Sequence, residues 1–299
     1  SPDDGKDPDT LLRNADIAMY RAKELGKNNF QYYSESMTAR VFERLTLENN
    51  LRHALERNEF ILHYQPQIDV RNGRIFGVEA LLRWQHPDLG LVMPGNFVPL
   101  LEETGLIEPV GIWVLETACR QSCQWHESGM GFLHMSVNLS SRQFNNSQFI
   151  GSLQNIIEET GVNPEYLELE LTESMLMRNT TATTAALNKL NQLGVRFAID
   201  DFGTGYSSLN YLRRFPIETI KIDRTFIRDI IEDDDDRAIC SAIIGMTRSL
   251  SLNVIAEGVE THEQIDFLKN RKCHYIQGNV FSPAVTAEEM TRLLARQID

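Results

Sequence analysis

The sequence predicts an α/β fold, a TIM-like (β/α)8 barrel with one antiparallel strand near the N-terminus of the barrel. Three observations predict it. From residue 60 onward, short apolar segments alternate with helical patterns. That stretch of about 240 residues has the size such a barrel needs. Only DVRNG (69–73) links the first two segments, and its Asn72-Gly73 pair is a hairpin signal, which makes the strands it joins antiparallel.

The strand segments are 60–64 (FILHY), 75–82 (IFGVEALL), 132–137 (FLHMSV), 167–171 (LELEL), 196–199 (RFAI), 217–222 (IETIKI), 253–256 (NVIA) and 274–277 (HYIQ). Helical patterns fill most gaps, at 111–128, 147–160, 180–193, 237–250, 261–271 and 286–297. Upstream, residues 11–27 have helical apolar spacing that stops at Gly26, and FQYY (30–33) reads as a short strand. This unit is too small to hold a core alone. A second amphipathic helix, 37–58, reads as a connector.

The chain has 299 residues, 42% hydrophobic and 24% charged, the composition of a globular protein. A net charge of −13 argues against binding DNA or RNA polymers, which want a basic surface. No apolar run approaches the ~20 residues that span a bilayer. The start, SPDDGKDPDT, is acidic rather than a secretory signal and reads as the interior of a longer protein. A cytoplasmic domain is expected, and this is compatible with a parent anchored in the inner membrane. Cys119, Cys123, Cys240 and Cys273 lack zinc spacing; Cys119, Cys123 and His126 share a helical face, but buried, reduced core thiols are the simpler reading.

Chemistry collects where barrel strands end. The second strand carries Glu79 and then Arg83; the third ends in Asn138, the fourth in Glu170 with Glu173 beyond. The fifth ends in Asp200-Asp201, the sixth holds Lys221 and Asp223, the seventh ends in Glu257 with Glu260 nearby, and the eighth in Gln277-Gly278. Gln65 comes from the first strand. Singly, each is more often a cap or a solvated loop residue. Together, carboxylates converging on one rim would repel unless a cation compensates. Oxygen donors of this kind suit hard divalent cations such as Mg2+ or Mn2+, and adjacent aspartates can serve two ions, the arrangement used for displacement at phosphorus. The residues alone therefore point to a two-metal phosphoesterase. The acidic run 232–236 lacks calcium-loop spacing and reads as a solvated helix N-terminus.

VEALLRW (78–84), VNLS (137–140), ELTES (170–174), DDFGTGYSSL (200–209), KIDR (221–224), AEGVE (256–260) and QG (277–278) resemble, in order and spacing, the motifs of EAL-domain cyclic di-GMP phosphodiesterases. NADIAMYRAKELGKNNFQYY (14–33) resembles the last helix and strand of a GGDEF diguanylate cyclase domain, whose own signature is absent. The resemblance divides the chain into a GGDEF remnant (1–36), a connector helix (37–58) and an EAL barrel (59–299).

It implies hydrolysis of cyclic di-GMP to linear pGpG with Mg2+ or Mn2+, Ca2+ being inhibitory. Glu79, Asn138, Glu170 and Asp200 would hold one ion, and Asp200, Asp201 and Glu257 the other, with Glu260 holding the lysine or a water. The base would be Lys221, its pKa lowered by the ions, or Glu257. Arg83 would clamp a phosphate, and Gln65 and the Pro94–Phe97 stretch would contact guanines. Leu82, Asn138, Asp223, Gln277, Gly278 and Phe281 complete the implied substrate contacts. Glu173 would pin the loop of Phe202, Gly203, Thr204, Gly205, Tyr206, Ser207 and Ser208, which joins a homodimer contact. Upstream GGDEF and sensor domains are the implied partners. Asn279 and Ala284 depart from the family pattern on the guanine side. The alternative is a silent cyclic di-GMP receptor, which usually lacks one of these ligands.

Overall fold

A computed structural model describes residues 7–24, 28–177, 180–205 and 212–297. Its strands are β1 Phe60–Asp69, β2 Arg74–His86, β3 Gly90–Val92, β4 His134–Asn138, β5 Leu167–Thr172, β6 Arg196–Phe202, β7 Thr219–Ile222, β8 Asn253–Ala256 and β9 Tyr275–Gln277. They pair in the order β1-β9-β8-β7-β6-β5-β4-β2, and β1 pairs back onto β2, so eight strands close a barrel while β3 sits outside against β2. β1 is antiparallel to both neighbours, and the remaining barrel pairings are parallel. The reversed strand is thus where the Asn72-Gly73 hairpin predicts it. Gly73 takes a φ of 72° there and donates its N–H to Asp69 O at 2.8 Å.

Because side chains alternate along a strand, LELELT in β5 sends Leu167, Leu169 and Leu171 to one face and Glu168 and Glu170 to the other. The leucines are wholly buried. The glutamates meet Ser136, Thr219 and Lys221 from neighbouring strands, so the barrel interior is polar. Helices cover the outside, among them Ile107–Glu127, Phe149–Thr160, Thr180–Asn191, Asp234–Ser249, His262–Asn270 and Ala287–Ala295. The acidic run does open a helix: Asp233 caps Asp234–Ser249 by accepting from the N–H groups of Asp235 and Asp236.

Two helices lie upstream, Pro8–Glu24 and Glu35–Ala54; residues 25–27, where the sequence places the end of the first, lie outside the described residues. Residues 30–33 form no strand, which corrects the sequence reading: FQYY has strand composition but no ladder partner among the described residues. Two helices that the periodicity missed, Pro94–Thr104 and Glu173–Met177, flank the barrel mouth. All four cysteines are free, three of them buried, and His126 stacks on Phe132 at 3.8 Å instead of joining Cys119 and Cys123. Among the described residues no helix is long and apolar enough to cross a membrane.

Candidate active site

The site is built around Lys221 on β7, which is fully buried. Its Nζ lies 2.6 Å from Glu257, 2.7 Å from Glu170, 3.0 Å from Glu79 and 3.8 Å from Asp200. These residues come from β2, β5, β6 and the turn after β8, so four parts of the barrel wall are tied to β7. Burial alone would discharge the lysine, but the carboxylates of Asp200, Glu170, Glu257 and Glu79 outweigh it and hold Nζ firmly protonated. The cation that compensates these carboxylates in this structure is therefore Lys221. The lowering expected for Lys221 is one that bound ions would produce; without them its nearest charges are the anions, which raise its pKa.

The carboxylates are not equivalent. Burial would raise Glu79, yet Lys221 and the amides of Gln277 and Asn138 hold it below the usual range. Gln277 Nε2 donates to Glu79 Oε2 at 2.5 Å, and Asn138 Nδ2 to Oε1 at 2.6 Å. Burial, with Glu79 beside it, pushes Glu170 far up, and its Oε1 is buried without a partner. Burial also pushes Glu257 up to about 8, against the pull of Lys221.

The adjacent aspartates diverge. The β6–β7 register shifts between Ile199 and Phe202, and Asp201 takes a φ of 53°. Such a bulge re-aims a side chain. Asp200 faces Lys221, while Asp201 lies at the rim beside Asp223, where partial burial and then the charge of Asp200 push it up to about 6. Glu260 is also exposed, at the cavity mouth and outside the 4 Å shell of Lys221; Glu257 holds the lysine instead.

Above the ring opens a polar cavity of about 580 Å3, lined by Gln65, Glu79, Asp200, Glu257, Gln277 and Gly278 among others. Arg224 and Arg228 stand on its wall, and sequence reasoning assigned neither a role. The only available signal was their spacing of four on the helix after KID. Gly278 has to be glycine, since a Cβ there would sit 2.1 Å from Val259 O. A second, more apolar cavity of about 590 Å3 adjoins Asn138 and holds Leu82 and Pro94 in its lining. Phe97 lines neither cavity. It is wholly buried, 5.9 Å from Phe60 and 5.7 Å from Trp84 between ring centres, so its position makes it core rather than a base contact.

Arg83 is buried on β2, and burial lowers its pKa against the opposing charge of Glu79. Phe281 is exposed. Asp223 caps the helix Arg224–Arg228 through the N–H of Thr225. Glu173 is buried, and its Oε2 accepts from the N–H groups of Gly203 at 3.1 Å and Gly205 at 3.3 Å. Phe202 is buried and Thr204 is exposed; Tyr206, Ser207 and Ser208 lie outside the described residues.

Among the described residues no three carboxylates, imidazoles or thiols form a ready metal cage, because Lys221 stands among the oxygens. The donor chemistry nevertheless fits a hard divalent cation. The donors are all oxygens, one buried acceptor (Glu170 Oε1) has no partner, and four carboxylates face one ammonium. A mixed barrel with this ring beneath an open polar cavity places the chain among (β/α)8-type barrels that carry a cluster of carboxylates at the mouth.

The particular family follows from comparison with known proteins. The EAL domain model matches residues 48–284, and the chain belongs to the EAL domain family. It is 46% identical over 294 residues to the bifunctional diguanylate cyclase/cyclic di-GMP phosphodiesterase MucR of Pseudomonas aeruginosa, covering 98% of this chain and 43% of that protein. It is 40% identical over 300 residues to the cyclic di-GMP phosphodiesterase PdeR of Escherichia coli, covering 100% of this chain and 45% of that protein. The chain thus spans less than half the length of these relatives. The solved phosphodiesterase of MucR, in complex with c-di-GMP, superposes with a TM-score of 0.80 at 46% identity, covering 82% of this chain and 99% of that one. EAL phosphodiesterases are metal-dependent as a class.

Proposed function

We propose that the chain is a cyclic di-GMP phosphodiesterase that opens the cyclic dinucleotide to 5′-pGpG with Mg2+ or Mn2+, and that Ca2+ inhibits it. The observation that carries this reading is the ring of Glu79, Glu170, Asp200 and Glu257 around Lys221, on the floor of a cavity of about 580 Å3. Glu79, Asn138, Glu170 and Asp200 would hold one cation, and Asp200, Asp201 and Glu257 a second. When bound, the ions supply Lewis-acid activation of water and neutralise charge at phosphorus.

The chain's own groups do the rest. Arg83, on the same strand as Glu79, carries the planar fork that would clamp a phosphate; here it is buried, lines neither cavity and donates to Leu82 O, so reaching a phosphate requires it to turn out. Gln65, whose Oε1 accepts from Gln277 at 3.1 Å, lines the cavity where a base edge would meet it. Lys221 donates to Glu79 and Glu170 and lies 2.6 Å from Glu257, and it would orient a water brought to the phosphorus. Glu173 holds the start of the 202–208 loop through Gly203 and Gly205, and this loop is our candidate for the homodimer contact.

Residues 1–36 are read as the tail of a GGDEF domain and 37–58 as its connector. The exposure of Phe30 and Tyr32, 74% and 81%, supports packing against a further unit. The purified chain is expected to convert cyclic di-GMP to pGpG with Mn2+ or Mg2+, and Glu79→Ala to abolish this. Binding without turnover in both metals would instead establish a silent receptor.

A further inference from the structure

Below the carboxylate ring the barrel holds a second polar layer, whose Gln67 lines neither cavity. Gln67, wholly buried on β1, stands opposite Gly77 on β2 and Gln277 on β9. Its Nε2 donates to Gln277 Oε1 at 3.2 Å and to Ser136 Oγ at 3.4 Å. Beneath it, Ser136 donates to Glu168 Oε1 at 3.0 Å and Thr219 to Glu168 Oε2 at 2.7 Å. Above it, Gln277 Nε2 donates to Glu79 and Gln65.

A carboxamide has one donor end and one acceptor end, so the polarity of this file is set from both ends. The Glu79 carboxylate only accepts, which turns Gln277 Nε2 upward and its Oε1 down toward Gln67. The one hydroxyl proton of Ser136 goes to Glu168, leaving lone pairs for Gln67. Gln67 Nε2, with two protons, meets both demands. The consequence is that Gln67 Oε1 is buried with no partner, a costly arrangement that the demands of its neighbours impose. Gly77 makes room for the amide: a Cβ there would stand 2.7 Å from Gln67 Oε1.

We infer that Gln67 is a positioning residue that fixes the carboxamide of Gln277 and, through it, the aim of the Glu79 carboxylate at a bound divalent cation. The role of Glu79 in this inference rests on the phosphodiesterase reading. Partners standing one layer behind metal ligands are typically worth about 10–100-fold in metal affinity or activity.

Gln67→Met keeps the length and removes the donor, while Gln67→Glu sets a carboxylate against Gln277 Oε1. On the whole chain, three quantities are measured: exchange of the Gln277 side-chain amide protons by NMR, Mn2+ affinity by calorimetry, and kcat and KM for cyclic di-GMP. In Gln67→Met the Gln277 protons are expected to exchange at least about tenfold faster, Mn2+ to bind about 10–100-fold more weakly, and kcat to fall more than KM changes. Gln67→Glu should show larger effects. Gly77→Ala, whose Cβ would stand 2.7 Å from Gln67 Oε1 and 3.0 Å from His134 O, should show smaller ones of the same sign, and it serves, with Gln277 exchange as its readout, if Gln67→Met does not fold. Exchange and Mn2+ affinity both within about twofold of wild type would overturn the inference, even if the melting temperature fell. A wild-type chain that binds Mn2+ without turning over cyclic di-GMP would sink the phosphodiesterase reading and leave the first two readouts to decide on Gln67.

Discussion

Lys221→Met removes one charge from the centre of the site while nearly keeping its volume. Its ammonium lies within 3.0 Å of Glu79, Glu170 and Glu257 and 3.8 Å from Asp200, and none of it is exposed. Removing one partner of such a buried network costs about 3–5 kcal/mol, since the remaining charges lose their compensation. Burial already favours the protonated forms of Glu170 and Glu257, and proton uptake there blunts the loss, so the lower end, about 3 kcal/mol, is expected. At roughly 2–4 °C per kcal/mol for a domain near this size, the metal-free melting temperature should fall by about 6–12 °C. A divalent cation brings back the missing charge, so Mn2+ should raise the melting temperature of the variant more than that of the wild type. Turnover should be lost in both Mn2+ and Mg2+. The assay is thermal unfolding by circular dichroism with EDTA or Mn2+. A variant that melts within about 1 °C of wild type in EDTA, or gains no more from Mn2+, would refute the claim that Lys221 is the compensating cation.

Glu173→Gln keeps the shape of the side chain but weakens the acceptor for two backbone N–H groups. A charged acceptor contributes about 1.5–3 kcal/mol, so exchange of the Gly203 and Gly205 amides should speed by about tenfold or more; unchanged exchange would rule out the pinning role. Gly278→Ala sets a Cβ 2.1 Å from Val259 O, where backbone has to move, and should destabilise by about 2 kcal/mol or more in urea titration. For His134, burial and then the charge of Arg196 hold the ring below its ordinary 6.5. The folded state therefore resists protonation: the neutral ring's contribution is complete above pH 6.5 and lost as pH falls below it. Between pH 7 and pH 5 the wild type should lose more stability than His134→Gln, and parallel losses would count against this assignment.

Most of the barrel and its acidic rim were readable because they follow from local periods. Asn72-Gly73 marked the reversal of β1, and a period of two in LELEL separates leucines facing the helices from glutamates facing the axis. What was not readable depends on distance across the barrel. Lys221 and Glu79 are 142 residues apart, and nothing local says whether an ammonium or a metal lies between the carboxylates. Phe97 sits on the face of its helix that meets Phe60 and Trp84, a choice made by packing, and the strand expected at 30–33 has no partner ladder to join. The acidic pair at 200–201 shows why such limits are physical. Two neighbouring carboxylates on a regular strand would point to opposite faces; here a register shift and one left-handed residue send Asp200 to Lys221 and Asp201 to the rim. The same period of two runs along β1. In YQPQ, Gln65 and Gln67 share the inward face of β1, one at the cavity and one beneath the ring, so the polar file that aims Glu79 was already written as an alternation next to the residue expected to touch the substrate.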